Sequence, residues 1–368
     1  MSGIQYHLAM TRLDVRSSHG DYLVFVGAGL LHRLDSVLRE VGMPAPSSVV
    51  TDRNVGPLHG RRFATTLGLE AIELAPGERH KRWSAVERLC DRWLDERLNR
   101  SHSVIAVGGG VVTDTVGFAA AVFLRGIAWI AVPTTLLGMV DAAIGGKTGV
   151  NLTRGKNLVG TFWPPRLVVA DVDTLKTLPD RELRAGLAEV VKAAWVGDHD
   201  LLELVPSADQ LERGGVTDSQ WHDLVTRAMA VKIGIVADDE HESGRRKALN
   251  LGHTLGHALE AATGYQRFLH GEAVAWGLEA AAILGRRHGL LDRDAEAALR
   301  AAVARLGDRP PIADLDAREV SGFIAVDKKR DAGGVGWVLP TDDGVALDQR
   351  VQISEAIEVL RELQNSPM

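Results

Sequence analysis

Residues 104–121 read VIAVGGGVVTDTVGFAAA: an apolar, β-branched run, the triple glycine Gly108–Gly109–Gly110, then a stretch with helical spacing. A strand, a glycine turn and a helix make the repeating unit of a parallel α/β sheet. Glycine in such a turn lets backbone approach a pyrophosphate, and the helix N-terminus favours its negative charge. The run lacks GxGxxG spacing, and glycine is also common in strand-to-helix turns that only pack. On the residues alone, a nucleotide turn and a packing turn both stand.

The alternation continues outward. YLVFVG (Tyr22–Gly27) precedes the helix-like LLHRLDSVLREVG, and SSVVTD, AIELAPG, IAWIAVP (Ile127–Pro133) and RLVVAD (Arg166–Asp171) read as further buried strands. Asp52 ends SVVTD, where a carboxylate can bind a ribose hydroxyl or serve as a plain turn or cap residue. After about Thr174 the texture changes. LPDRELRAGLAEVVKAAWVG, WHDLVTRAMAVKIGIVA, HTLGHALEAA, EAVAWGLEAAAILGRRHG and RDAEAALRAAVARLG all carry apolar residues at helical spacing, with a hairpin expected at GWVLPTDDGVAL.

Composition narrows the function classes. At 368 residues the chain suits two domains or one large one, and an apolar fraction of 45% is ample for a core. A formal charge of −6 argues against nucleic acid or an anionic membrane as partner. The N-terminus shows no signal-peptide pattern, and no window reaches about 18 uncharged apolar residues. Cys90 is the single cysteine, so no intramolecular disulfide forms. It lies in the helical pattern VERLCDRWL and reads as a packing residue; the expected location is the cytoplasm.

Three segments carry chemistry. VPTTLLGMVDAAIGGKTGVNLTRGKNLVG (132–160) joins Thr134, Thr135, Asp141, Lys147, Lys156 and Asn157 to many glycines, which reads as a mobile anion-binding loop. Arg125 adds a cation just before a strand. In AGLAEVVKAAW, Glu189 and Lys192 are three apart on an apolar helix, a spacing that also makes ordinary surface ion pairs. NLGHTLGHALEAATGYQRFLHGE (Asn250–Glu272) holds His253, His257 and His270. Three histidines so close, two of them preceded by glycine, favour a divalent metal over satisfied core residues. Spacing nominates His253 and His257 as a ligand pair on one helix face but does not say which of the three bind.

GGGVVTDTVGFAA, RGIAWIAVPTTLLGMVDAAIGGKTGVN, GKNLVG, LAEVVK, LNLGHTLGHALE and LHGEAVAWG together resemble the 3-dehydroquinate synthase family of sugar-phosphate cyclases, in register from about Asp52 to Lys329. The resemblance implies an α/β plus α fold, dehydroquinate synthase-like: a Rossmann-like NAD-binding domain over 1–174 and a mainly α-helical metal- and substrate-binding domain over 175–368. It implies Glu189, His253 and His270 as ligands of zinc or cobalt, with His257 turned to substrate. NAD contacts map to Asp52, Glu78, Lys81 and Asp114, to Gly109 and Gly110, and to Thr134 and Thr135. Substrate-binding cations map to Arg125, Lys147, Lys156, Lys192, Lys232, Arg246 and Lys328. Asn157 and Asn250 add donors, and Asp141 and Glu242 complete the polar set.

The implied substrate is 3-deoxy-D-arabino-heptulosonate 7-phosphate, a doubly anionic sugar phosphate. Its C5 hydroxyl is oxidised transiently by NAD⁺, phosphate leaves by β-elimination, the hydride returns, and ring opening with aldol closure gives 3-dehydroquinate. The family is usually homodimeric. Valiolone-type cyclases typically carry Asp for the Asn before GHT and lose the second His of GHxxGH; deoxyinosose synthases carry Glu at that Asn and lack GGK. Asn250, His257, Gly145–Gly146–Lys147 and Lys328 all remain here. Thr113 stands where the family usually has glycine, and its hydroxyl is placed either to bond phosphate or to cap the helix. An aminodehydroquinate synthase shares these motifs. An NAD-dependent polyol dehydrogenase needs few phosphate-binding lysines, so Lys147, Lys156, Lys232 and Arg246 speak against it. A catalytically dead binding protein would have lost ligands or lysines, and none is missing.

Overall fold

The computed structural model describes residues 10–43, 45–327 and 334–365. The chain divides into two compact units. One comprises Met1–Pro179 with Thr217–Ile233, the other Asp180–Val216 with Gly234–Met368.

The first unit is built on strands β1 (Thr11–Val15), β2 (Tyr22–Gly27), β3 (Ser48–Asp52), β4 (Ala71–Leu74), β5 (Ser103–Gly108), β6 (Ala128–Pro133), β7 (Lys147–Leu152), β8 (Gly155–Phe162) and β9 (Leu167–Asp171). Seven of them form one sheet in the order β1-β2-β9-β6-β5-β3-β4. Pairing is parallel from β2 to β4, and only edge strand β1 runs antiparallel, with Thr11 opposite Val26. Helices α1 (Leu34–Glu40), α2 (Arg61–Thr66), α3 (Trp83–Asp95) and α4 (Gly110–Val122) follow strands as crossovers.

Every residue of β5 is buried, as a central parallel strand requires. Its alternate residues serve opposite faces: Ile105 and Val107 join Phe25, Leu34, Val49, Phe63, Ile130 and Val169 in one core cluster. Burying such a side chain contributes about 1.5–3 kcal/mol. The chain runs from β3 out to β4 and then returns to place β5 on the other side of β3. That reversal is a topological switch point, and ligands of open α/β sheets bind outside the strand carboxyl ends there. Asp52 closes β3 and Gly108 closes β5, so the two candidate nucleotide segments end on adjacent strands.

The run around Lys147 and Lys156 corrects the expectation of a mobile loop. β7 and β8 pair antiparallel as a hairpin, with Gly149 opposite Gly160. A Cβ on Gly160 would lie 2.2 Å from the Thr148 carbonyl oxygen, so glycine here serves close strand approach rather than mobility.

The second unit carries α5 (Asp180–Gly197), α6 (Ala208–Glu212), the end of α7 (Asp218–Asp238), α8 (His253–Ala262), α9 (His270–Arg287), α10 (Arg293–Ala304), α11 (Ala317–Asp327) and α12 (Ile353–Asn365). A hairpin of β10 (Val335–Thr341) and β11 (Gly344–Val351) completes it. Its helices approach through glycine. A Cβ on Gly271 of α9 would lie 1.8 Å from the Ala185 carbonyl oxygen of α5, and one on Gly277 would lie 1.7 Å from that of Gly252, just before α8. Only backbone hydrogen fits at those crossings, which sets three helices at fixed spacing.

The units differ from the expected division at 174 and 175 in two ways. Residues 172–177 stay with the sheet because Asp171 accepts from the backbone of Gly29 and Leu31, at 2.9 and 2.8 Å, and of Asp173 at 3.1 Å. The start of α7 joins them through Thr11–His222 at 3.0 Å and Lys176–Asp218 at 2.9 Å.

Candidate metal centre and nucleotide turn

In the helical unit, α5, α8 and the first residue of α9 bring Glu189, His253 and His270 together, their ligating atoms all within 4.8 Å of one another. Glu189 lies one turn beyond Ala185, on the face of α5 that meets Gly271, so the glycine crossing aims its carboxylate. His253 and His270 both present Nε2 to Glu189 Oε1, at 3.6 and 3.4 Å. Glu189 and Lys192 are 1% and 2% exposed, and Lys192 Nζ forms an ion pair with Glu189 Oε2. Burial removes the surface ion pair as a description of these two.

The imidazoles have fixed donors. His253 Nδ1 donates to the Leu251 carbonyl at 3.1 Å, and the Glu260 carboxylate accepts from His270 Nδ1 at 3.3 Å. Burial, reinforced by Lys192, holds the His253 pKa well below its usual value, so its one proton sits on Nδ1 and Nε2 offers a lone pair. Burial opposes charge on His270, but the hydrogen bonds to Glu189 and Glu260 outweigh it and push the pKa up to about 10. A proton on His270 Nε2 thus holds the place that a divalent cation fits: one carboxylate oxygen, two imidazole nitrogens, tetrahedral-type donors. His257 packs edge-on to His253, ring centroids 5.3 Å apart. It joins Glu260 and His270 in a second, overlapping cluster, and the described residues place His253 and His257 together in no ligand group.

The other expected residues of this unit lie beside that cluster in sequence. Arg246 is 1% exposed, its Nη1 donating to the Glu240 carbonyl. Asn250 donates to Glu242 at 2.5 Å, and Glu242 takes a left-handed backbone at φ 59°. Lys328 lies outside the described residues.

In the α/β unit, Gly109 precedes α4 and gives it no side-chain cap. Its glycine is explained sterically, since a Cβ would sit 2.9 Å from the Thr135 methyl. Ligand capacity lies next to it. Thr134 directly follows β6, its N–H donating to the Gly108 carbonyl at 3.0 Å, and its buried hydroxyl has no hydrogen-bond partner among the described residues. A buried orphan hydroxyl and an uncapped helix start suit an anionic ligand. Thr135 accepts from Gly138 N at 3.0 Å. Thr113 is buried and turns its hydroxyl back to the Gly109 and Gly110 carbonyls, at 3.4 and 3.3 Å. Asp52 Oδ1 accepts from Asn54 N and Val55 N, at 2.8 and 2.9 Å, so the carboxylate shapes the turn after β3.

A polar network joins the remaining residues. Lys81 Nζ donates to Asp114 and Asn157, both at 2.6 Å. Burial works against charge on Lys81, but Asp114 and Glu78 outweigh it and hold the ammonium above its usual value. Asn151 was not among the expected site residues, yet it donates to the Glu78 side chain at 2.8 Å and accepts from Asn157 N at 2.8 Å. Lys232 of α7 donates to the Asp141 carboxylate and, at 2.7 Å, to its carbonyl. Lys147 opens β7 exposed, Lys156 is half-buried on β8, and Arg125 is exposed with a left-handed backbone at φ 64°.

A parallel sheet with a switch-point glycine turn in one unit, and a carboxylate–imidazole cluster on glycine-packed helices in the other, define the dehydroquinate synthase-like class of α/β plus α enzymes. Residues 71–185 match the model for the 3-dehydroquinate synthase N-terminal region, and 186–330 that for the C-terminal region. The chain is 40% identical over 364 residues to a 3-dehydroquinate synthase of a Synechococcus strain, covering 96% of this chain and 99% of the relative. The chain belongs to the 3-dehydroquinate synthase family. Among solved structures, a 2-deoxy-scyllo-inosose synthase complexed with carbaglucose-6-phosphate, NAD⁺ and Co²⁺ superimposes with a TM-score of 0.85 at 27% identity, covering 96% of this chain and 100% of that one. A 2-epi-5-epi-valiolone synthase from Streptomyces hygroscopicus with NAD⁺ and Zn²⁺ bound gives 0.81 at 28%, covering 95% and 98%. No helix among the described residues is long and apolar enough to cross a membrane.

Proposed function

We propose that Glu189, His253 and His270 hold zinc or cobalt and that the turn at Gly109 and Gly110 holds NAD, in service of the 3-dehydroquinate synthase reaction. That reaction is the phosphate lyase step (EC 4.2.3.4) of the shikimate pathway, turning 3-deoxy-D-arabino-heptulosonate 7-phosphate into 3-dehydroquinate and phosphate. The observation that carries the metal assignment is the pair of imidazole Nε2 atoms facing one buried carboxylate oxygen. When bound, NAD supplies a reversible hydride acceptor and the cation supplies Lewis acidity at the C5 hydroxyl.

The chain's own residues do the rest. In the α/β unit, Asp52 meets the ribose and Glu78, Lys81 and Asp114 meet the cofactor, with Thr134 and Thr135 at its phosphates. The orphan Thr134 hydroxyl supports this, as does the location of both Asp52 bonds on a single oxygen. Arg125, Lys147, Lys156 and Lys232 supply fixed positive charge there, Asn157 donates, and Asp141 orients Lys232. In the helical unit Lys192, Arg246 and Asn250 hold substrate oxygens, Glu242 orients Asn250, and His257 faces substrate beside the metal. Lys328 belongs to the same cationic set. Charge-assisted bonds of this kind hold phosphate and carboxylate in one reactive pose. In this reading the enzyme works in the cytoplasm as a homodimer.

Incubation with the heptulosonate phosphate, NAD⁺ and zinc tests the reading by following phosphate and dehydroquinate together. Equal release of both is expected. Phosphate without dehydroquinate would assign the chain to a different cyclase reaction, and net NADH formation would make it a polyol dehydrogenase.

A further inference from the structure

Glu260 belongs to neither the expected ligand set nor the substrate set, yet it is 2% exposed on α8 and its carboxylate contacts a candidate ligand. A buried carboxylate is costly unless it is bonded, so its placement needs a reason. Its partner is His270 Nδ1, at 3.3 Å. A carboxylate oxygen only accepts, so Nδ1 carries the proton and Nε2 is the nitrogen turned to Glu189, at 3.4 Å. At His253 the Leu251 carbonyl does the same to Nδ1, again leaving Nε2 on the Glu189 side. Each imidazole thus has an acceptor at Nδ1, a backbone carbonyl for His253 and a carboxylate for His270.

We propose that Glu260 is the positioning residue of the metal centre: it fixes the tautomer and ring orientation of His270 and is not itself a ligand. The proposal rests on the metal assignment above. The overlapping cluster of His257, Glu260 and His270 offers the competing role, with Glu260 coordinating directly. The two roles differ in what Glu260 must supply. Orientation needs a hydrogen-bond acceptor; coordination needs an anionic oxygen donor. The helix start places His270 for this purpose, since Glu272 accepts from Leu269 N at 2.8 Å and binds Arg181 through both carboxylate oxygens at 2.6 and 2.9 Å. That clamp fixes the backbone of His270, leaving ring rotation as the freedom that Glu260 removes.

Cobalt affinity of the full chain, measured by competition with a chromophoric chelator, and the cobalt absorption spectrum decide between them. Glu260→Met keeps the volume but has no oxygen acceptor, and should bind cobalt about 10–100-fold more weakly. Glu260→Gln keeps an acceptor and should lose less than about tenfold, with the native spectrum. Met-variant affinity equal to the parent's overturns the proposal, because orientation would then not depend on Glu260. A Gln variant as weak as His270→Ala, with an altered spectrum, also overturns it, in favour of direct coordination. Failure of the metal assignment looks different: the unmodified chain would then not bind cobalt, or its His270→Ala variant would bind it as tightly as the parent.

Discussion

Lys232 donates to both the carboxylate and the main-chain carbonyl of Asp141, 91 residues earlier in the chain. Lys232 is 7% exposed, so water does not readily replace Asp141 as its partner. Removing one member leaves the other charge poorly satisfied. Lys232→Met should therefore lower stability by about 2 kcal/mol in urea unfolding. Combining it with Asp141→Asn should cost less than the sum of the single effects, because each removes the same interaction. Additive losses would show that the two residues act independently.

Chelation separates the histidines. Activity should vanish on exhaustive metal removal and return with zinc or cobalt; full activity in metal-free protein would refute the metal role. His270→Ala should lose most of the metal, since it deletes one of the three residues in the Glu189, His253 and His270 cluster. His257→Ala should keep the metal and slow turnover. Equal metal loss in both variants would return the ligand pair to His253 and His257, as helical spacing alone suggests.

Gly271 couples the fold to that cluster. Its position 1.8 Å from the Ala185 carbonyl, once a Cβ is added, cannot be relieved by a side-chain rotamer because the obstacle is backbone. Gly271→Ala should force α9 away from α5, carrying His270 from Glu189. We expect destabilisation above about 2 kcal/mol together with weakened cobalt binding. A variant with unchanged melting and metal affinity would mean that the helices tolerate wider spacing.

Local pattern made some of this legible and left other parts hidden. The strand–glycine–helix turn at Gly108 and the helices after Pro179 follow from periodicity within single segments. The proposed ligand set did not. Spacing sees His253 and His257 on α8 but cannot see α9 bringing His270 to Glu189; only the family resemblance supplied that set. The β7–β8 hairpin was hidden because glycine and lysine dilute its alternation, and the need for Gly160 lies across the strand pair at Thr148. Asn151 was missed for a similar reason: its main side-chain partner, Glu78, is 73 residues away. Alternation offers no signal for it either, because β7 is buried over four consecutive residues and Asn151 does not stand out from its neighbours.

That hairpin carries the last prediction. Lys147 opens β7, while the paired glycines 149 and 160 hold the two strands close and Asn157 anchors to Lys81 at 2.6 Å. The lysine is thus an exposed charge on a built hairpin rather than on a mobile loop. An exposed side chain contributes little to folding, so Lys147→Ala should melt within about 0.5 kcal/mol of the parent. Its cost should fall on turnover of the sugar phosphate, about 100-fold or more if it neutralises a reacting oxyanion. Metal affinity should not change, since no ligand is touched. Lys147→Arg would restore the charge but not the ammonium's compact geometry, and only partial recovery is expected. Normal kinetics in Lys147→Ala would leave this lysine as a solvated surface charge.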